Sequence, residues 1–183
     1  YFDETKDSYS ATATAPAAAY LRIAYDLYVL KHNVGLQSFL IDRLKQSGLF
    51  QGARYELYVA ASLIKAGFTV EYIDERDKTK TNCEYIATHK ETGKKYSVEA
   101  KSKHRDGVWG YEDERQRNPL NLNINRLIKD AIEKEAGYPK IIFIDVNLPL
   151  ESGEIFNKQW AQKVISLTNK LEARPYAKNK SAY

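Results

Sequence analysis

The chain has 183 residues, 43% of them hydrophobic and 28% charged, with a formal net charge of +4 and a mean hydropathy of -0.57. That length supports one domain with a lateral extension and a sizeable core. No apolar run approaches the roughly 20 residues needed to span a bilayer, which excludes a transmembrane helix, and the mildly basic balance permits a polyanionic partner without requiring one.

Residues 1–10 are polar and expected to be frayed. ATATAPAAA, residues 11–19, is either a tail or the start of a helix with Pro16 near its first turn. Leu21, Ala24, Leu27, Tyr28 and Lys31 recur at helical spacing and predict a helix over 20–31, broken by Gly35. A second helix is expected over 36–46, stopped by Ser47-Gly48, and a third over 52–65, closed by Ala66-Gly67.

Three strands are then expected in succession, over 68–73, 83–88 and 96–101, separated by the polar turns DERDKTKT and HKETGKK. Residues 102–121 form a long polar loop or flap. A helix over 123–136 carries Ile124, Leu127, Ile128, Ala131 and Ile132 on one stripe, and IIFIDV, 141–146, reads as the best-buried strand. A last helix over 157–171 and a basic tail complete the chain. Residues 1–48 are read as a helical extension and 49–183 as the main domain. The order helix, three strands, helix, strand is a mixed α/β sandwich rather than a doubly wound fold, and no Gly-rich phosphate loop follows any strand.

Cys83 is the single cysteine, so the chain has no internal disulfide framework and no cysteine zinc site, and it suits a reducing, cytoplasmic compartment. His32, His89 and His104 lack paired metal-ligand spacing. No secretory signal is visible. The chain begins at Tyr1 and contains no Met, as in a fragment or a chain with its Met positions missing.

The third strand raises a chemical question. In YSVEAKSKH, residues 96–104, alternation puts Glu99 and Lys101 on one face and Val98 and Ala100 on the other. A solvent-facing ion pair would explain this at about 0 to 1 kcal/mol. The preceding strand, however, carries Glu84. A hairpin through Thr92-Gly93 would bring Glu84 beside Glu99, where like charges repel unless a cation lies between them. Mg²⁺ is hard, takes oxygen ligands, and is often held by one or two carboxylates plus substrate phosphate. The third helix adds Glu56, at the edge of an apolar face made by Ala53, Leu57, Ala60, Ala61 and Ile64. There it either turns outward to solvent or needs a cation, a donor or a metal ion's water as partner.

G-x-x-x-E on a helix (Gly52, Glu56), Glu84 on the second strand and Glu99-x-Lys101 on the third, followed by helix and strand, together resemble the PD-(D/E)xK nuclease superfamily. The resemblance covers residues 52–146. It implies a restriction endonuclease-like fold with an αβββαβ core, Mg²⁺ or Mn²⁺ as cofactor, and DNA phosphodiester hydrolysis, most simply by an endonuclease. Glu84 and Glu99 would hold the metal with the Ala100 carbonyl. Lys101 would orient or activate the attacking water, and Glu56 would bind the metal directly or through water. The family usually has Asp, often after Pro, where this chain has Glu84 after Cys83; Glu reaches about one methylene further.

Beyond Lys101, the residues Lys103, His104, Arg105, Arg115, Arg117 and Arg126 could follow a phosphate backbone, with Trp109 and Tyr111 stacking on a base or sugar. The plainer reading of this stretch is a solvated loop. Two other functions compete: a catalytically silent domain of the same fold that binds nucleic acid or protein, and a structural subunit in which Glu56, Glu84 and Lys101 form a buried ion network. The oligomeric state is open, a homodimer included.

Overall fold

The computed structural model of the protein describes residues 14–73, 82–109, 124–148 and 153–172. The polar start, the turn after the first strand, Tyr111, Arg115, Arg117 and the basic tail lie outside them. The described chain forms α1 (Ala15–Asn33), α2 (Ser38–Leu44), α3 (Ser47–Lys65), β1 (Phe68–Tyr72), β2 (Tyr85–His89), β3 (Lys95–Ser102), α4 (Ile124–Glu133), β4 (Lys140–Asp145) and α5 (Gln159–Glu172), with a 3₁₀ turn at Ile155–Asn157.

The Ala-rich stretch is the start of a helix. Thr14 caps α1, its hydroxyl accepting from the Ala17 N–H at 3.4 Å, and Pro16 sits in the first turn where a missing N–H costs nothing. The Ser47-Gly48 stop is a correction: both residues open α3, and α2 is the shorter helix. The N-cap of α3 is Gln46, whose side chain makes no capping bond. The Gln46 carbonyl accepts the first regular helical bond from Phe50 and also takes one orphan donor, the Leu49 N–H. The usual side-chain signal of a helix start is therefore missing from the sequence.

β1, β2 and β3 form an antiparallel meander, and β4 lies parallel to β3 after the α4 crossover, giving the order β1-β2-β3-β4. Gly93, at φ 67, makes the β2–β3 turn. α3 lies across one sheet face. Leu57, Ala60, Ala61 and Ile64 pack there with Val70, Tyr85, Ala87, Val98 and Ala100, and Val29, Leu30 and Leu40 from α1 and α2 join the same cluster. Full burial of one such Leu contributes about 1.5–3 kcal/mol.

β4 is not the best-buried strand. All six of its residues are only half-buried, because among the described residues it pairs with β3 on one side alone and forms an edge of the sheet. Its first residue fastens α4: the Lys140 ammonium donates to the carbonyls of Ala131, Ile132 and Lys134 at 3.0, 2.8 and 2.6 Å. A cation there completes the orphan acceptors at the negative end of the helix. Among the described residues, no helix is long and apolar enough to cross a membrane.

Candidate active site at the end of the third strand

β3 alternates as its sequence requires. Val98 and Ala100 enter the core under α3, which leaves Glu99 and Lys101 on the other face. Glu99 is nonetheless 0% exposed, and its Oε2 has no hydrogen-bond partner among the described residues. Two ammonium groups compensate the charge. That of Lys101 stands 2.6 Å from Oε1, and that of Lys134, just past α4, stands at 4.0 Å.

Glu84 immediately precedes β2, and its N–H donates to the Val98 carbonyl at 3.0 Å. The paired register of β2 with β3 ends at Tyr85 and Val98, and this bond fastens Glu84 beside Val98, the neighbour of Glu99. Since the Val98 carbonyl points to the β2 edge, alternation aims the Ala100 carbonyl at the same edge, beyond the first residue of β2.

Glu56 is 4% exposed, and its partner is a cation from α2: the Arg43 guanidinium donates to both oxygens, at 2.8 and 2.5 Å. Such a bidentate fork satisfies a buried carboxylate. Lys101 nevertheless feels all three acids. Burial pulls its pKa down, but contact with Glu99 and the fields of Glu99, Glu84 and Glu56 more than offset this and leave it raised. On the α3 side, the hydroxyls of Tyr72 and Tyr85 are buried without a hydrogen-bond partner among the described residues. Burial, reinforced by Glu56 and Glu84, pushes both phenols up.

Among the described residues, no group of three or more His, Cys, Asp or Glu side chains converges on a point that could hold a metal. Glu56, Glu84 and Glu99 therefore do not form such a group; the smaller set expected from the sequence is Glu84, Glu99 and the Ala100 carbonyl. That set is all oxygen, as Mg²⁺ prefers, and Mg²⁺ commonly takes only one or two protein carboxylates and keeps its waters. Oε2 of Glu99, buried with no hydrogen-bond partner among the described residues, fits such an ion in kind, while Oε1 faces Lys101 and the oxygens of Glu56 are already engaged by Arg43.

The stretch after Lys101 is held by residues that sequence reasoning missed. Gln51, 1% exposed on α3, grips the backbone of Arg105 from both sides: its amide donates to the Arg105 carbonyl at 2.8 Å and its Oε1 accepts from the Arg105 N–H at 2.9 Å. Asn147, at φ 42, donates to Gln51 Oε1 at 2.6 Å and to the Lys103 carbonyl at 2.9 Å. Asp145 accepts from the Ser102 hydroxyl at 3.1 Å, pairs with Arg54 at 3.4 Å, and offers its carbonyl to the Lys103 N–H. The signal for this clamp was an amide side chain on the core face of α3, one residue before Gly52.

The candidate nucleic-acid residues divide. Lys103, His104 and Arg105 are half-buried beside the site, and burial lowers the pKa of both Lys103 and His104. His104 Nε2 lies where a Cβ on Gly52 would meet it at 3.5 Å. Trp109, at φ 51, sets its ring edge-on to Phe50 with centroids 4.9 Å apart and keeps half its surface exposed. Arg126 projects from α4 and pairs with Asp130 at 3.6 Å. A cavity of about 600 Å³ between α4 and α5 is lined by Ile128, Ile132 and Leu167 among others, none of them a candidate site residue. No protein-family model, curated protein or solved structure matches this chain.

Proposed function

We propose that this protein is a metal-dependent nuclease with a restriction endonuclease-like core, hydrolysing DNA phosphodiester bonds. The observation that carries the reading is the Lys101 ammonium 2.6 Å from the fully buried Glu99 carboxylate on β3, with Glu84 fastened to the neighbouring Val98 just before β2. Glu99, buried on β3, and Glu84, bonded through its N–H to the adjacent Val98 carbonyl, would hold Mg²⁺ or Mn²⁺ with the Ala100 carbonyl. When bound, such an ion polarises the phosphoryl oxygen and lowers the pKa of its water.

The chain's own groups do the rest. Lys101 orients the attacking water and faces the charge that builds on the phosphate. Arg43 fixes Glu56, which acts on the site through water and through its field on Lys101. Lys103 and Arg105, on the strand exit clamped by Gln51, contact flanking phosphates. A cytoplasmic location completes the reading. The test is cleavage of single-stranded, duplex and branched DNA with Mg²⁺, with Mn²⁺ and with EDTA. Metal-dependent products that vanish in Lys101→Ala support the reading; their absence on every substrate removes it.

One observation favours a second reading. Glu56 is forked by Arg43, and Glu99 lies between two lysines, so a buried ion network could be the whole purpose of these residues. The protein would then be a structural subunit, and its stability would be indifferent to divalent metal.

A further inference from the structure

α1 is apolar on two opposite sides. Ile23, Leu27, Leu30 and Val34 pack into the core. The reverse side carries Ala18, Leu21, Tyr25, Tyr28 and His32, separated by three, four, three and four residues. At 100° per residue these five fall within about 80° of arc. Their mean spacing of 3.5 residues is that of a left-handed coiled-coil seam. All five are exposed, Leu21 at 61%, Tyr25 at 50% and Tyr28 at 60%. A surface helix normally gives its outer side to polar residues. This one instead builds a ridge, with the Tyr28 and His32 rings 4.3 Å apart.

The charges around the ridge have one sign. Arg22 lies over Tyr58 at 4.7 Å, Lys65 over Tyr25 at 5.2 Å, and Lys31 is exposed on the flank. The one acid in α1, Asp26, is buried at 2% and held by Arg22 at 3.0 Å and Lys65 at 3.8 Å. A partner helix therefore meets cations on the flanks and no exposed carboxylate from α1.

We propose that the outer face of α1 docks an acidic amphipathic helix of a partner protein, by coiled-coil packing on Leu21, Tyr25 and Tyr28. A second copy of α1 is the poorer occupant, since either orientation sets basic flanks together with no acid to answer them. A nucleic-acid strand would use the rings and cations but has no need of a 3-4 repeat that includes Ala18 and Leu21. The proposal stands apart from the nuclease reading.

The test uses the full chain and two fluorescein-labelled synthetic peptides of four heptads, each with Leu at a and d, one with Glu at e and g and the other with Lys there. Fluorescence anisotropy should show the acidic peptide binding at least ten-fold tighter than the basic one. Tyr25→Glu/Tyr28→Glu should abolish that binding, and Lys31→Glu should weaken it several-fold. Both variants change exposed positions, and unchanged thermal melts confirm that they fold. Equal binding of the two peptides, no binding of either, or binding indifferent to the double variant overturns the proposal. So does sedimentation of the chain alone as a dimer dissolved by Tyr25→Glu/Tyr28→Glu, or loss of DNA binding in that variant, since each assigns the face to another occupant.

Discussion

The Lys101 ammonium lies 2.6 Å from Oε1 of Glu99, a carboxylate with no exposed surface. From the sequence, Glu99 looks like a carboxylate strained by its neighbour Glu84, whose neutralisation would relieve repulsion. The pairing with Lys101 and Lys134 reverses that expectation for the metal-free protein: Glu99→Gln should cost about 3 kcal/mol, because it strands a partly buried ammonium. Denaturant melts without metal check the magnitude. Melts with Mg²⁺ separate the two readings. In the nuclease reading the ion raises the Tm of the wild type and not of Glu99→Gln, since a ligand of the native state stabilises only what binds it. In the ion-network reading it raises neither.

Gln51 should be worth more to the strand exit than any lysine in it. Gln51→Ala removes both bonds to Arg105 and the one from Asn147, at a net cost of about 2 kcal/mol. The diagnostic readout is local. The Arg105 amide, satisfied by Gln51 Oε1, should lose hydrogen-exchange protection by at least ten-fold, while the amides of β2 keep theirs.

The element order and the strand alternation were legible in the sequence because they depend on local spacing. Val98 and Ala100 under α3, with Glu99 and Lys101 opposite, follow from a period of two and needed no tertiary information. The partners of those residues were not legible. Arg43 reaches Glu56 across 13 positions and Asn147 reaches Gln51 across 96, and neither carries a spacing signal. The α3 start at Ser47 was hidden by a Gln46 cap that uses its carbonyl rather than its side chain. IIFIDV looked central because it is apolar, but apolarity does not tell an edge strand from an inner one.

Lys103→Ala/Arg105→Ala should weaken DNA binding at low salt and flatten the salt dependence by about two counterions, each phosphate contact contributing a slope near 0.9. The backbone of both residues is held by Asn147, Asp145 and Gln51, so their removal should leave the melting temperature nearly unchanged. An unchanged slope would show that substrate enters elsewhere.

His104 gives an acid-side dependence. Burial holds its pKa below the ordinary 6.5, so the folded chain keeps it neutral where the unfolded chain binds a proton. Its contribution to stability is complete above pH 6.5 and is lost as the pH falls from there toward the lowered folded value. Urea melts between pH 7.5 and 5 should therefore show a steeper loss for the wild type than for His104→Asn. Parallel curves would place His104 in solvent-like surroundings.

The central claim is that Glu84 and Glu99 share one divalent cation. Calorimetric titration of Mn²⁺ into the wild type, Glu84→Gln and Glu99→Gln tests it without reference to any substrate. One site per chain is predicted for the wild type and none for either variant. No binding heat in the wild type, or a site that Glu84→Gln leaves unchanged, would contradict it.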